Sequence, residues 1–437
     1  MSVYPRNLSN FLNRLSGYNK NNVKLTVLGS DTANQGDIVQ VDLPSNSIVD
    51  LSSLAWSFQV VYGTQAAAGE CYPPINCEGL ISRLAVEVNG QTLVNLTNYN
   101  DLFHLLLNMT ATEDYQRQRM VAQSSVSSTD AATVTSNGTT QKLVAADAGA
   151  ASTRLHTVDT WLGFLGSAKP NFIDTSLLGN VRISITLAPG DVLGGGAGGG
   201  ESNNNRTYAV SDQAFSIDVI SISDGIYDAM VDQMLASGRP IEIPFKNYFS
   251  YTNLVANMGQ TTLFNVASQS IDRLWATARL QTYKDANIDP VNVGSVSDRA
   301  LSIIKTTPSY FTYKGDTGMH FQFQVNNTLY PNWQMTRGDQ LFQHTKLAVG
   351  DQGNMLSGSV PVSAKAYLEN FFAFAVSLEH HTDSDERFLS GVDTRGASAN
   401  CYLKSSDNGA AASQIIIFAE CTSSLKIMAN KVLEIVQ

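Results

Sequence analysis

The chain has 437 residues, of which 43% are hydrophobic and 15% charged, with a formal net charge of −10. That acidity argues against an extended nucleic-acid groove, and the low charge suits a protein that buries much of its outside against copies of itself. A β sandwich or barrel runs to about 200–250 residues as one domain, so the length predicts two.

The charge is uneven. Residues 1–30 carry Arg6, Arg14, Lys20 and Lys24 and no acid. Within them, residues 7–16 read as a short amphipathic helix. Asn7 can cap it, Leu8, Phe11, Leu12 and Leu15 fall on one face, and Gly17 ends it. We expect residues 1–22 to form a basic amphipathic arm. Arg6, Leu8, Phe11, Leu12, Arg14 and Leu15 would contact a neighbouring subunit, an anionic membrane or packaged nucleic acid. No apolar stretch follows Met1–Arg6 as in a secretory leader. The longest apolar run, residues 371–378, is far shorter than the ~20 residues that span a bilayer.

Short strands and polar turns follow. Residues 23–27, 38–43 and 55–61 are strand candidates, with Pro44-Ser45-Asn46 between the second and third. Leu84, Val86 and Val88 alternate with polar or small neighbours and lead into Asn89-Gly90, a strong hairpin signal because both residues tolerate positive φ. Residues 102–107 read as one or two helical turns. Residues 110–153 shift to Ser, Thr, Ala, Gln and Asn, too polar to supply core, and are expected to form a surface excursion or weak decorative strands. Residues 181–187 form a clean alternating strand, 189–205 hold a glycine-rich loop, and 215–222 are strand again. Ile226, Met230, Val231 and Met234 have helical spacing closed by Gly238 and Pro240. This divides the chain into a first β domain (23–224), a helical connector (225–240) and a second β domain (241–437).

The second domain echoes the first. Met319, Phe321, Phe323 and Val325 alternate with polar residues and lead into Asn326-Asn327, as the strand before Asn89-Gly90 does. Each turn is followed by a matching tag, Asp101-Leu102-Phe103-His104 in one copy and Gln340-Leu341-Phe342-Gln343 in the other. Ser47-Ile48-Val49-Asp50-Leu51 is likewise echoed by Ser270-Ile271-Asp272-Arg273-Leu274. Two echoes in the same order predict an internal duplication of a β unit of roughly 200 residues. The final strands are expected at 414–420, 425–428 and 432–436.

Chemistry is sparse. Residues 194–199 spell GxGxxG but lack a surrounding βαβ unit, and Ser423-Ser424-Leu425-Lys426 spells SxxK inside strand-like sequence. His380 and His381 are adjacent and would point to opposite faces of a strand, so a shared metal is not expected. The loop with Asp383, Asp385 and Glu386 is read as solvated, with a hard cation such as calcium the alternative. Cys71 and Cys77 could bridge a loop, and free thiols in a reducing compartment are the other reading. We expect no catalytic residues, no metal and no cofactor.

The chain resembles the double-jelly-roll major capsid proteins of tailless icosahedral viruses. The residues that carry the likeness are Leu43-Pro44-Ser45-Asn46 with Asp50-Leu51, Val88-Asn89-Gly90 with Tyr99-Asn100-Asp101-Leu102, residues 323–332, and residues 420–427. Residues 110–153 and 189–205 match nothing in it. The resemblance implies an all-β fold of two successive eight-stranded jelly rolls with minor helices and long loops. It also implies a homotrimer that passes for a hexagon, and a place in the virion after synthesis in the host cytoplasm. Its partners would be neighbouring capsomers, vertex (penton) and minor capsid proteins, with an internal membrane or the packaged genome facing the N-terminal arm. A carbohydrate-binding lectin or adhesin, and a glycan-processing hydrolase on two jelly rolls, are the alternative functions.

Overall fold

The computed structural model describes residues 18–64, 74, 76–111, 115, 119, 133–136, 139–142, 152–193, 206–222, 225–255, 259–280, 310–313, 315, 319–350, 367–368, 371–379, 391–396, 400–406, 413–428 and 431–437. The first part contains β1 (Tyr18–Leu25), β2 (Ile38–Asp42), β3 (Ile48–Thr64), β4 (Ile81–Val88), β5 (Gln91–Thr97) and helix α1 (Tyr99–Thr110). β6 (Ser152–Val158), β7 (Phe172–Asp174), β8 (Val181–Leu187) and β9 (Arg206–Ile222) follow. One sheet runs β1-β9-β3-β7, with β6 also paired to β3, and the other runs β2-β8-β4-β5.

Helix α2 (Gly225–Ala236) leads into the second part. This holds β10 (Ile241–Val255), β11 (Thr261–Phe264), β12 (Ile271–Leu280), β13 (His320–Val325), β14 (Thr328–Tyr330) and helix α3 (Gly338–Val349). β15 (Phe374–Ser377), β16 (Cys401–Ser406), β17 (Ser413–Ile427) and β18 (Leu433–Val436) complete it. Its sheets run β10-β17-β12-β15, with β18 beside β17, and β11-β16-β13-β14.

Setting aside the additions β6 and β18, both parts have one wiring. The first, eighth, third and sixth strands make one sheet, the second, seventh, fourth and fifth the other, and a helix follows the fifth. Two sheets wound this way are a jelly roll, so the chain is a double jelly roll.

Local chemistry explains the elements. In β8, Val181, Ile183, Ile185 and Leu187 are buried while Arg182, Ser184 and Thr186 are not, the period of two of a strand with one covered face. Asn89 (φ 49°) and Gly90 (φ 80°) close the β4–β5 hairpin, and Asn326 (φ 55°) opens its counterpart between β13 and β14. In β17, residues 415–419 are all buried, as expected of a central strand covered on both faces.

Three boundaries differ from expectation. Residues 18–22, assigned to the arm, belong to β1, where they pair with β9 from Asp218 to Ile222. The expected strands 414–420 and 425–428 are one strand, because Cys421 to Ser424 keep their register with Pro244 to Asn247 of β10. β6 begins inside the segment expected to be decorative and adds a paired strand to β3.

Each roll has its own apolar core, built around Trp56, Phe58 and Phe215 in the first and Trp275, Phe321 and Phe374 in the second. The cores exchange residues. Leu102, Leu105 and Met109 of α1 belong to the second core, and Ile243, Phe245, Leu425 and Ile427 to the first.

Candidate functional site: the seam and the open edges

Helix α1 occupies the seam between the rolls because its sequence is apolar on two sides. Tyr99, Phe103 and Leu107 face the first core, while Leu102, Leu105 and Met109 face the second. A helix apolar on two sides must be covered on both. Between those faces lies Asp101, 1% exposed. It accepts hydrogen bonds from Arg279 Nη1 (3.1 Å) and from the Tyr313 hydroxyl (2.6 Å). Arg279 is 1% exposed, donates to Tyr310 O (2.8 Å) and Gln414 Oε1 (2.6 Å), and lies 4.0 Å from the Tyr310 ring centroid. A buried charge survives only when paired and hydrogen-bonded, and Arg279 has both. Burial and then the Asp101 carboxylate push the Tyr313 phenol well above its ordinary pKa, so it remains a donor.

The rest of the seam is polar at its margin and aromatic inside. Thr97 and Ser250 share a 2.5 Å hydroxyl contact, and Asn98 Nδ2 donates to Thr252 Oγ1 at 2.9 Å. The turn Phe164–Ser167 packs on β10, with Phe164 edge-on to Phe245 at 5.3 Å. Lys246 N donates to Ser167 Oγ (2.8 Å) and Lys169 N to Pro244 O (3.0 Å).

One electrostatic device appears in both rolls. In the first, Lys20 on the first strand bridges Asp50 Oδ2 (3.0 Å) on the third and Asp218 Oδ2 (2.9 Å) on the eighth. In the second, Lys246 on the first strand bridges Asp272 Oδ2 (2.8 Å) on the third and Thr422 Oγ1 (3.1 Å) on the eighth, with Glu379 Oε1 at 3.4 Å. The two lysines differ in cover: the Lys20 side chain is 40% exposed and the Lys246 side chain 16%. Hydrogen bonds to Asp218 and Asp50 raise Lys20 to about 12.

A second buried polar group sits against another face of the same half of α1. Glu78 is fully buried and pairs with Arg119, whose guanidinium lies over the Phe103 ring at 4.7 Å. Burial pushes Glu78 up to about 7 against the pull of Arg119. His104 stacks on Phe311 at 3.9 Å, and burial lowers it to about 4.

The expected arm residues Arg6, Leu8, Phe11, Leu12, Arg14 and Leu15 lie outside the described residues, as do Cys71, residues 194–200, His380, His381, Asp383, Asp385 and Glu386. Cys77 is a buried free thiol. Ser423 is buried in β17, while Lys426 lies on the opposite face and pairs with Glu242 at 2.7 Å, so the SxxK letters assemble no site. Among the described residues, no group of three His, Cys, Asp or Glu is placed to hold a metal, and no helix is long and apolar enough to cross a membrane. The Asp101–Arg279 pair was not anticipated. The available signal was a lone acid inside an apolar helical run and a lone arginine inside an apolar strand, each of which demands a partner when buried.

No protein-family model matches the chain, and no curated protein matches it. Solved structures do. PBCV-1 VP54, fitted into a reconstruction of the virophage Sputnik, aligns over 98% of this chain and 98% of its own, with a TM-score of 0.60 at 13% identity. The Faustovirus major capsid protein aligns over 97% of this chain and 92% of its own, with a TM-score of 0.60 at 10% identity. A chain of the Sputnik virophage aligns over 100% and 92%, with a TM-score of 0.51 at 12% identity. At such identities the likeness is one of fold, and it spans both rolls.

Proposed function

We propose that the chain is a major capsid protein that assembles as pseudo-hexameric homotrimers into an icosahedral viral shell. The observation that carries this reading is the shared wiring of the rolls. One chain presents two units of the same architecture, so three chains arranged about a three-fold axis present six similar outlines. The likeness in fold to the Faustovirus major capsid protein supports it. The chemistry of the described residues agrees, because the buried charges are engaged in pairs that hold elements together.

In this reading the partners are copies of the chain, neighbouring capsomers, and vertex and minor capsid proteins. The protein is made in the host cytoplasm and finishes in the virion. The arm, now bounded at residue 17, reaches toward an internal membrane or the genome. Light scattering on the purified protein tests the first step: the expected mass is three times 47.2 kDa. A monomer at all concentrations, stabilised by added sugars, would instead support the lectin reading.

A further inference from the structure

Lys246 and Asp272 are placed for more than an ion pair. They stand on β10 and β12, which are not neighbours in the sheet: both pair with β17, and the contact crosses over it. Lys246 Nζ lies 2.8 Å from Asp272 Oδ2, and the two side chains are 16% and 2% exposed. The carboxylate is fixed at both oxygens, because Ser270 Oγ donates to Oδ1 (2.7 Å) and Thr422 Oγ1 to Oδ2 (2.6 Å). Glu379, just past β15, brings a third group, with Oε1 3.4 Å from Nζ.

The surroundings give protons somewhere to go. Lys246 and Arg273 face Asp272, Glu379 and Glu420, with Arg273 3.9 Å from Glu379 and 3.8 Å from Glu420. Glu420 is 4% exposed and accepts from Trp275 Nε1 at 3.4 Å. Three carboxylates thus face two cations, and a proton leaving Lys246 meets one of them. The matching position in the first roll differs. Lys20 meets Asp50 across β9 in the same way, but its side chain is 40% exposed, and water keeps it charged.

We infer that Lys246 and Asp272 become joined by an intramolecular isopeptide bond, with Glu379 as the proton carrier. Nζ gives a proton to Glu379 and attacks Asp272 Cγ. The N–C bond forms and the Cγ–Oδ2 bond breaks. Oδ2 leaves as water with both protons that Nζ gives up, one of them by way of Glu379. Ammonium and carboxylate become a neutral amide and water, so no outside reagent is consumed. Oδ1 remains as the amide oxygen, held by Ser270. Holding the two groups in contact supplies the effective concentration, the carboxyl relay assists the proton transfers, and the neutral product removes the cost of keeping two charges out of water. Burial lowers Lys246, but Asp272, Glu420 and Glu379 together raise it, so the amine rests protonated and transfer to Glu379 comes first. The bond ties the first strand of the second roll to its third, beside the seam, where Lys246 N donates to Ser167 Oγ. It stands apart from the capsid reading.

Mass spectrometry of the purified full chain tests it. The expected mass is that of the sequence less one water. Trypsin cuts neither before proline nor after an acylated lysine, so residues 207–273 are expected as one peptide, lighter by one water. No single backbone break between 246 and 272 should release a fragment from it. Lys246→Arg and Asp272→Ala are each expected to show their full sequence mass. Glu379→Gln, taken from the fraction that elutes as the parent does, is expected to form the bond about a hundredfold more slowly. A parent chain of full mass overturns the inference without recourse to any variant. So does a loss of water carried on peptide 247–273 after cleavage at Lys246, which marks a cyclised Asp272 in place of a cross-link. Equal rates in Glu379→Gln and the parent overturn the role given to Glu379.

Discussion

At Asp101 and Arg279 two charges are held out of water by each other. Removing one leaves the other buried and unpaired, which costs about 3–5 kcal/mol. We expect Arg279→Ala and Asp101→Ala each to lower unfolding stability by roughly that amount in denaturant titrations, and the double variant to cost less than the sum. Two titratable groups near α1 give opposite pH signatures. Burial holds Glu78 at about 7 when folded, above its ordinary 4.5, so its contribution to stability is lost as pH rises between those values. Glu78→Gln is therefore expected to gain stability relative to the parent as pH goes from about 4.5 to 7. His104 is held at about 4, below its ordinary 6.5, so its contribution is lost as pH falls. His104→Gln should gain on the parent from pH 6.5 down to about 4, read as melting temperature against pH. Sequence could mark Asp101 and Arg279 as anomalies in apolar surroundings, but not as partners. They stand 178 residues apart, and only the docking of one roll on the other joins them.

Among the elements, strands announced themselves where one face is wet. β8 was legible from alternation alone, and the hairpins around Asn89 and Asn326 from the positive φ those residues tolerate. β17 was misread as two strands because Thr422, Ser423 and Ser424 resemble a turn. Thr422 is polar because it hydrogen-bonds Lys246 and Asp272, and the whole stretch keeps its ladder with β10. The start of β1 was misread for a related reason. Asn19, Lys20, Asn21 and Asn22 carry no apolar period, and residues 19–24 are exposed on both faces of that strand. The distinction matters for truncation. Deleting residues 1–17 is expected to leave the trimer intact and block shell formation. Deleting 1–22 removes Lys20 and most of β1's pairing with β9, and should yield aggregated protein in size-exclusion chromatography. The repeated lysine bridge makes a further comparison. Asp272→Asn is expected to destabilise more than Asp50→Asn, because Lys246 is the better shielded of the two lysines.

For the whole molecule, the duplication was legible from two short echoes, and the shared strand order bears it out. The seam was not, because the residues that make it are ordinary core residues in type. A chain whose rolls lend side chains to each other's cores is expected to unfold in one cooperative transition. The first roll expressed alone would expose Leu102, Leu105 and Met109, and should be insoluble or bind the dye ANS; a soluble, well-dispersed fragment would count against that coupling. Because α1 is joined by peptide bonds to the roll that covers it, that contact forms at the same rate in a dilute cell lysate as in a crowded one. In the proposed ring, every second boundary is thus settled inside a single molecule, and only the alternate boundaries wait on diffusion and dose. The onset of shell growth would then be set by those joints between chains alone.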